Sequence, residues 1–489
     1  MQLCLINHSY KYELEKLIRL FFPFEKIEFS DTFNLTDFCI TTEIINNNAK
    51  AMFYFNGKIY NQIKIIEEVN GNFEKDAELC LAIALFDCLT TATGYFPDWG
   101  ILTGVRPAKL YSRLLKQNGE EYVKEYFTKY LKVSNKKLSL CEATLKGEGQ
   151  ITTLSQPDSF SLYISVPFCP TRCSYCSFVS HSVEHAKKLI PDYVEQLCEE
   201  LIVTAKISKD NNLRLETVYI GGGTPTTLTA EQLEKVMKTV KENFSLENLR
   251  EYTVEAGRPD TVTREKLEVI KRLGATRISI NPQTMNNAVL KEIGRNHTAE
   301  QTVEAFNLAR ECGFNNINTD LIAGLPTDTL ESFKDTLEKV IALNPESVTV
   351  HSLSMKRSSR LSLNGDLPEV KAGVIASQMV DYAFDKLNQN GIKPYYMYRQ
   401  SKTVGNLENV GYAKAGYECL YNVFIMDETH TILACGASAV TKLREPCGDY
   451  IERIFNYKYP YEYINRFDDL LNRKSRIDEF YINIKLDLL

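Results

Sequence analysis

Three cysteines in one short stretch are the residues of this sequence best suited to chemistry. Cys169, Cys173 and Cys176 form a C-x3-C-x2-C array directly after an apolar run that ends at Pro167. A loop without regular hydrogen bonding can turn three such thiolates inward around one iron–sulfur cluster. Because three thiolates hold only three irons of a [4Fe–4S] cube, the pattern predicts a cluster with one iron open to a ligand.

The alternative for this stretch is a structural zinc ion. Cysteine makes up 13 of 489 residues, from which chance would give roughly 0.01 arrays of this spacing, so the array is not accidental. His181 and His185 lie nearby, but structural zinc prefers four ligands, and no fourth cysteine or histidine stands at a typical spacing. The spacing therefore favours iron and sulfide over zinc.

The composition describes an ordinary soluble globular chain. Its length of 489 residues predicts two or three domains, and the net charge of −6 argues against broad nucleic-acid binding. The 13 cysteines, without a signal peptide, indicate a reducing cytosol rather than a disulfide framework. The most apolar stretch, 79–96, is too short and too polar for a membrane span, so we expect a cytoplasmic protein without stable membrane insertion.

Residues 162–350 alternate apolar strand candidates with amphipathic helices. This rhythm predicts a parallel sheet, either curled as a barrel or doubly wound, with functional residues just after the strands. The strand candidates are Leu162–Val166, Thr217–Ile220, Tyr252–Glu255, Arg277–Ile280, Ile317–Ile322 and Ser347–Val350. The helix candidates are Ala186–Ile207, Thr229–Phe244, Arg264–Leu273, Ala299–Cys312 and Leu330–Leu343.

Polar groups follow four of these strands. The second is followed by Gly221-Gly-Gly-Thr-Pro225, the third ends at Glu255, and Gln283 and Asp320 belong to the fourth and fifth. A glycine turn of this kind can simply connect strand to helix, and a lone acid at a strand end is often a helix cap. Four such groups at successive strand ends, beside a cysteine loop, predict one ligand site.

The first 150 residues have a different pattern, that of a small mixed α/β domain. Asn46–Asn48 and Asn56–Gly57 are turn signals between short strand-like runs. The runs are Gln2–Ile6, Lys26–Phe29, Phe38–Ile44 and Met52–Phe55, with helices at Tyr10–Phe22 and Lys75–Thr93. The segment 147–158 is interpreted as a linker.

These motifs together resemble a known family. The cysteine loop, G-G-G-T-P, D-L-I-x-G-L-P and Gly436-Ala437 make residues 160–445 similar to the oxygen-independent coproporphyrinogen III oxidase family (coproporphyrinogen dehydrogenases), the HemN, HemW and HemZ group of radical S-adenosylmethionine (radical SAM) enzymes. Residues 1–150, L-T-G-V-R-P and V-E-A-G-R-P resemble the HemZ-type members.

The resemblance implies an α/β fold: a radical SAM partial (βα)6 barrel with an additional N-terminal mixed α/β domain and a C-terminal α+β region. It implies an accessory domain at 1–150, the barrel at 158–355 and a substrate-covering domain at 356–489. It also implies two cofactors, a [4Fe–4S] cluster on the three cysteines and S-adenosylmethionine. Residues implied to bind S-adenosylmethionine are Tyr163, Phe178, Gly222, Gly223, Thr224, Glu255, Gln283, Arg295, Asp320 and Ile322.

The implied activity is the oxidative decarboxylation of two propionates of coproporphyrinogen III to vinyl groups by a 5′-deoxyadenosyl radical, giving protoporphyrinogen IX in heme biosynthesis. No catalytic residue is implied beyond the cluster and cofactor site. The electron donor would be a small protein such as flavodoxin or ferredoxin. Arg106, Arg357 and Arg399 are candidates for binding the propionates, and a helix cap, an ordinary ion pair or a solvated loop are their alternatives.

Two departures from the family pattern leave the activity open. Phe178 stands where the HemN type carries a fourth cysteine, as it does in the heme-chaperone branch. That branch usually has a His-Asn…Tyr-Trp motif, where this chain has Cys419-Leu-Tyr-Asn422. A heme chaperone and a radical SAM enzyme that acts on heme, as in anaerobic heme degradation, therefore remain alternatives. His351 or His430 would be heme ligands in such a protein, although a lone histidine is more often structural.

Overall fold

The computed structural model describes residues 1–30, 38–176, 181–354, 368–400, 402–446 and 448–487. The chain divides into two compact units. The first consists of Met1–Glu142, Leu363–Asp381 and Tyr398–Glu408, and the second of Ala143–Ser362, Tyr382–Met397 and Asn409–Leu489. No helix in these described segments is long and apolar enough to cross a bilayer.

The first unit contains a five-stranded sheet with the strand order β2-β1-β3-β4-β5. Asn46 and Asn47 have φ values of 46° and 63°, and Asn56 and Gly57 have 50° and 74°, as two-residue hairpin turns require. Both predicted turns are confirmed, and the second leads into a strand that the sequence analysis missed. The elements up to residue 152 are β1 (Gln2–Ile6), α1 (Lys11–Phe21), β2 (Glu28–Ser30), β3 (Phe38–Ile45), β4 (Asn48–Phe55), β5 (Lys58–Ile65), α2 (Phe73–Thr93), α3 (Pro107–Asn118), α4 (Glu120–Glu125), a π-helical turn (Tyr126–Tyr130) and α5 (Asn135–Thr152).

The predicted linker at 147–158 is wrong in its first half, because α5 continues to Thr152. Glycine usually weakens a helix, and this suggested a break at Gly147. In the structure a Cβ added to Gly147 would lie 2.6 Å from the carbonyl oxygen of Pro394. The glycine therefore lets this helix pack closely against another backbone segment of the second unit.

The second unit is built on strands that alternate with helices, as predicted. Its elements up to residue 352 are β6 (Ser159–Val166), β7 (Phe168–Cys169), β8 (His181–Ser182), α6 (Val183–Ala186), α7 (Ile190–Asp210), β9 (Arg214–Gly222), α8 (Ala230–Asn243), β10 (Glu251–Glu255), α9 (Arg264–Arg272), β11 (Arg277–Ser279), α10 (Asn287–Glu292), α11 (Ala299–Glu311), β12 (Ile317–Ala323), α12 (Leu330–Ala342) and β13 (Ser347–Ser352). Short 3-10 helices occur at Pro225–Thr227, Pro259–Thr261 and Val404–Asn406.

The remaining described chain adds helices and further strands. These are α13 (Pro368–Gln389), β14 (Lys393–Arg399), β15 (Glu408–Ala413), α14 (Leu420–Asp427), β16 (Thr431–Cys435), β17 (Val440–Arg444), β18 (Ile451–Phe455), α15 (Pro460–Asn465), α16 (Phe467–Arg473) and α17 (Ser475–Asp487).

The large sheet has the strand order β14-β15-β13-β12-β11-β10-β9-β6-β16-β17-β18. Its central strands, from β13 to β6, run parallel: consecutive strands from β9 to β13 pair with one another, and β9 also pairs with β6. All six predicted strands are confirmed, as is the α/β class with its partial (βα)6 barrel. The carboxyl ends of parallel strands meet at one edge, so the residues predicted there are brought together.

Threonines define where several barrel helices begin. Thr229, Thr263, Thr298 and Thr329 are the N-caps of α8, α9, α11 and α12, and each side chain accepts a backbone N–H of the first turn. Such caps stabilise a helix by about 1 kcal/mol each. They fix the length of the loops between strand and helix, and these loops carry the candidate site.

Candidate cofactor site

The three cysteines of the predicted array follow β6 within one loop. Cys169 lies in the two-residue strand β7, and Cys173 and Cys176 lie in the turn beyond it, where the Cys176 N–H donates to the Cys173 carbonyl at 3.1 Å. All three are partly exposed, whereas the other described cysteines, except Cys312, are buried. Thiols at a surface are available to a ligand, and buried ones are not. Phe178 lies outside the described residues.

A short segment after α10 holds the cysteine loop from the other side. The Ile293 carbonyl accepts the Ser174 N–H at 3.0 Å, and the Gly294 carbonyl accepts the Thr171 hydroxyl at 3.2 Å. Arg258 donates to the same Thr171 hydroxyl at 3.1 Å. Sequence spacing could not identify these contacts, because most of them use backbone carbonyls that any residue type would supply.

Arg295 continues this support with a buried guanidinium. It donates to the Tyr175 hydroxyl at 3.2 Å and to the carbonyls of Asn281 and Gly257 at 2.7 and 3.3 Å. Burial alone would lower the pKa of Arg295, but Tyr175 and Cys173 raise it, so the group stays cationic beside the cysteine loop. The structure thus places Arg295 directly behind the loop that carries the three thiols.

The glycine turn after β9 lies against the start of the cysteine loop. The Gly223 N–H donates to Val166 O at 2.8 Å and the Thr224 N–H to Phe168 O at 2.7 Å. A Cβ on Gly223 would lie 2.6 Å from the Phe168 carbonyl oxygen, so only glycine permits this approach. The Thr224 hydroxyl donates to Cys169 Sγ at 3.6 Å. The turn therefore fixes the position of the first thiol.

Glu255 lies at the carboxyl end of β10, where the phenol of Tyr219 donates to its Oε1 at 2.6 Å. Burial raises the pKa of the Glu255 carboxyl to about 7, and the hydrogen bond from Tyr219 acts in the opposite direction. A Cβ on Gly221 would lie 3.1 Å from Oε1 of this carboxyl, so the first glycine of the turn leaves room for it. Near neutral pH, Glu255 can therefore hold or release a proton.

Asp320, another acidic residue of the predicted site, lies in β12. Asn318 donates to its Oδ1 at 2.7 Å, and His351 Nε2 is 3.8 Å from its Oδ2. Burial would raise the pKa of Asp320, but His351 and Asn318 hold it below its usual value. Conversely, burial opposes the charge on His351, and Asp320 raises the pKa of that imidazole. His351 was considered only as a heme ligand; the structure places it beside Asp320.

Gln283 adopts a left-handed backbone conformation with φ of 68°, which is uncommon for a residue other than glycine. Its N–H donates to Asp320 O at 2.9 Å, and its carbonyl accepts the Ile322 N–H at 3.0 Å. Strained conformations of this kind cluster at ligand sites, where the surrounding structure enforces them. Gln283, Asp320 and Ile322 are thereby fixed as one unit at the sheet edge.

Tyr163 lies in the centre of the site on β6. Its ring stacks with those of Tyr219 and Tyr421, with centroid distances of 6.3 and 6.0 Å. Tyr163 and Tyr219 are partly exposed, whereas Tyr421 is buried. Tyr421 comes from α14, far along the chain, and the sequence analysis did not identify it.

Of the three arginines predicted to bind the substrate, Arg106 and Arg399 belong to the first unit. Arg106 precedes α3 in the first unit. Arg399, in the same unit, is buried and donates to the carbonyls of Leu102, Gly104 and Asn406. These carbonyls take up most of the five N–H donors of its guanidinium. Arg357 lies outside the described residues.

The residues present fit a cluster better than a single zinc ion. Among the described residues, no three His, Cys, Asp or Glu side chains converge as they would around one metal ion. Thiolates that hold a cube bind different irons, and three partly exposed thiols on one loop can each bind one of them.

Comparisons with known proteins identify the family of this chain. Residues 163–340 match the model of the radical SAM superfamily. The oxygen-independent coproporphyrinogen-III oxidase-like protein HemZ of Bacillus subtilis (strain 168) is 38% identical over 82% of this chain and 81% of its own. The heme chaperone HemW of Haemophilus influenzae is 32% identical over 66% of this chain and 81% of its own. The solved structure of coproporphyrinogen III oxidase (HemN) from Escherichia coli has a TM-score of 0.49 and 23% identity, covering 66% of this chain and 72% of that one.

The matched barrel first defines the class, a radical SAM protein. Within that class the chain belongs to the HemZ-type family of oxygen-independent coproporphyrinogen III oxidase-like proteins, in the group that also contains HemW and HemN. The resemblance seen in the sequence is thereby confirmed. Membership of the superfamily implies a [4Fe–4S] cluster and S-adenosylmethionine as cofactors.

Proposed function

We propose that this protein is a coproporphyrinogen dehydrogenase, an oxidoreductase that converts two propionates of coproporphyrinogen III to vinyl groups without oxygen. Each propionate would lose one hydrogen atom from its β-carbon to a 5′-deoxyadenosyl radical, then carbon dioxide, and one electron, which would pass to an electron acceptor; the product would be protoporphyrinogen IX. The observation that supports this most is the position of three partly exposed thiols beside a glycine turn and the polar ends of successive strands.

Cys169, Cys173 and Cys176 would hold the cluster, and the strand-end residues would bind S-adenosylmethionine. When bound, these two cofactors supply a 5′-deoxyadenosyl radical that can take a hydrogen atom from carbon. Gly222, Gly223 and Thr224 would bind the amino end of the methionine part. The remaining groups would contact its carboxylate, the ribose, the adenine and the charged groups next to them; they are Tyr163, Phe178, Glu255, Gln283, Arg295, Asp320 and Ile322.

The protein's own contribution would be to position the reacting groups and exclude water. The Thr224 hydroxyl orients Cys169 Sγ, and Arg295 holds the loop between the thiols through Tyr175. Gln283 and Asp320 present a rigid edge, because their backbones bond to one another. A ligand that enters this place meets groups that are already fixed, which reduces the ordering cost of binding.

The substrate and the other partners belong to the same proposal. Four propionates on an apolar tetrapyrrole need cationic anchors, for which we propose Arg106, Arg357 and Arg399. We assign them to an accessory domain at 1–150 and a substrate-covering domain at 356–489, which precede and follow a barrel at 158–355 in the sequence. The electron donor would be a flavodoxin or ferredoxin in the cytoplasm, and no nucleic acid would be involved.

One anaerobic experiment tests the activity. Reconstituted protein is incubated with S-adenosylmethionine, a reductant and coproporphyrinogen III, and the tetrapyrroles are separated by chromatography. We expect vinyl-bearing product from the unmodified protein and none from Cys173→Ala. Cys312→Ala is the matched control, since it removes a partly exposed thiol outside the loop and should leave turnover unchanged.

A heme-trafficking role is the second candidate, because HemW, named a heme chaperone, is 32% identical over 66% of this chain. Tight binding of heme without any decarboxylated product would favour it over the first proposal. A linear tetrapyrrole formed from heme would indicate instead an enzyme that acts on heme itself. Turnover retained by Cys173→Ala would remove the cluster from the mechanism altogether.

A further inference from the structure

A stack of three tyrosines lies beside the candidate cofactor site and connects it to a distant helix. The rings of Tyr219 and Tyr421 are 4.5 Å apart at an angle of 25°, and those of Tyr163 and Tyr421 are 6.0 Å apart at 14°. Tyr421 therefore touches both tyrosines that face the site. Such stacked pairs contribute about 1 kcal/mol beyond the area they bury.

The position of Tyr421 is set from the opposite end of the barrel strands. Glu251, the first residue of β10, accepts the Leu420 N–H at 2.9 Å, the Tyr421 N–H at 3.3 Å and the Cys419 thiol at 3.3 Å. A buried carboxylate that accepts the first N–H groups of a helix anchors that helix. Glu251 thus fixes the start of α14, which carries Tyr421.

Arg277 strengthens the same anchor from the first position of β11. Its guanidinium is buried and donates to the Tyr417 carbonyl at 2.8 Å and the Asn316 side chain at 3.1 Å, and it also bonds to Ser347 Oγ. The segment that leads into α14 is therefore held by two charged groups at the amino ends of neighbouring strands. Two such contacts leave Tyr421 little freedom to move.

The stack ends at the carboxyl of Glu255. Tyr219 donates to Glu255 Oε1. The ring of Tyr219 lies between Tyr421 and Gly221, and a Cβ added to Gly221 would lie only 2.8 Å from Cε1 of that ring. If Tyr421 were absent, the Tyr219 ring could tilt away and its hydroxyl would leave Glu255. The orientation of Glu255 thus depends on a residue that does not itself touch the site's surface.

We propose that Tyr421 is a positioning residue for the cofactor site, holding Tyr219 and through it the carboxyl of Glu255 in the orientation that binds the cationic part of S-adenosylmethionine. This inference rests on the proposed function, since it assumes that S-adenosylmethionine binds at Glu255. The groups that face Glu255 are Tyr219, Tyr163, Asp320, His351 and Tyr421.

The test measures binding of S-adenosylmethionine by equilibrium dialysis on the reconstituted full chain, at several pH values. Tyr421→Ala should weaken binding by about tenfold, the effect of losing one good contact. It should also raise the pH at which binding is half-maximal, because the Tyr219 hydrogen bond lowers the pKa of Glu255. Tyr421→Phe keeps the ring and should bind within about twofold of the unmodified protein.

Tyr252→Ala is the matched control. Tyr252 is buried in β10, where it alternates with Glu255 and belongs to the core formed with the helices. Its loss should lower the melting temperature and leave both affinity and pH midpoint unchanged. Should Tyr421→Ala not fold, Tyr421→Leu fills most of the volume without stacking and carries the same expectation.

The outcomes are distinct. Unmodified affinity and pH midpoint in Tyr421→Ala would overturn the positioning role, and so would equal weakening by Tyr252→Ala. Absence of S-adenosylmethionine binding by the unmodified, iron-loaded protein would overturn the proposed function and this inference with it. Weakened binding in Tyr421→Ala and Tyr421→Leu alone, with a shifted midpoint, is the expected result.

Discussion

At the scale of single residues, Glu255 is the group whose charge can change near neutral pH. Burial raises its pKa to about 7, so it is neutral below that pH and ionised above it. S-adenosylmethionine carries a sulfonium and an ammonium group, and both favour a carboxylate over a carboxylic acid. The cofactor should therefore bind more tightly as the pH rises through 7.

We predict that affinity for S-adenosylmethionine increases about tenfold between pH 6 and pH 8. The measurement is equilibrium dialysis across that range at constant ionic strength. Glu255→Gln cannot ionise, so it should bind weakly and lose this dependence. An unchanged slope in Glu255→Gln would assign the pH effect to another group, and His351 beside Asp320 would be the first to examine.

At the scale of elements, the glycine turn after β9 and the strand β7 act as one structure. An alanine at position 223 would place its Cβ 2.6 Å from the Phe168 carbonyl oxygen, and backbone cannot yield cheaply there. We predict that Gly223→Ala reduces the iron and sulfide bound after reconstitution by at least about half. Gly149→Ala is the control: nothing lies within 4 Å of its Cβ, and in a helix it should be neutral or slightly stabilising.

A buried histidine, His430, lies between the start of β6 and the start of β16. Its ring nitrogens bond to Ser161 at 2.8 Å and Ser155 at 2.6 Å, and burial lowers its pKa to about 3. In the unfolded chain it would take up a proton near pH 6.5, so its contribution to stability is present above that pH and is lost as the pH falls.

We predict that this group alone lowers the free energy of unfolding by about 1.3 kcal/mol between pH 7.5 and 5.5. Urea denaturation at both values measures it, with His430→Gln as the comparison. The variant should be less stable at pH 7.5 and show a smaller loss on acidification. An equal loss in both proteins would mean that His430 accepts a proton in the folded state.

At the scale of the whole molecule, the buried Lys137 and its two acidic partners hold the first unit together. Lys137 Nζ lies 2.7 Å from Glu408 Oε1 and 2.9 Å from Asp381 Oδ1, and Trp99 donates to the other Glu408 oxygen at 2.7 Å. Removing one partner from a buried ion pair typically costs 3–5 kcal/mol, about as much as a large core truncation.

Lys137→Met should therefore destabilise the first unit by about 3–5 kcal/mol in denaturant unfolding. Lys109→Met, at an exposed position of α3 in the same unit, is the control and should change stability by under about 0.5 kcal/mol.

The features that could be predicted from the sequence are those that depend on residues close together in the chain. Strand periodicity identified six barrel strands, and cysteine spacing identified the loop, because both depend on residues close together in the chain. The carbonyls of Ile293 and Gly294, which hold that loop, belong to the backbone, so these contacts do not depend on residue type and could not be predicted from the sequence. Tyr421 could not be predicted for a different reason: its partner Tyr219 is about 200 residues away in the chain, and the two rings meet only in the folded protein.

The discontinuity of the first unit has a consequence for how the protein is made. Lys137 leaves the ribosome long before Asp381 and Glu408, the acids that neutralise it. Until residue 408 has emerged, the earliest part of the nascent chain carries an ammonium group that cannot be buried without a counter-charge. The ion pairs of Lys137 therefore form only after residue 408 has been translated, later than the apolar core that residues 3–95 can form among themselves.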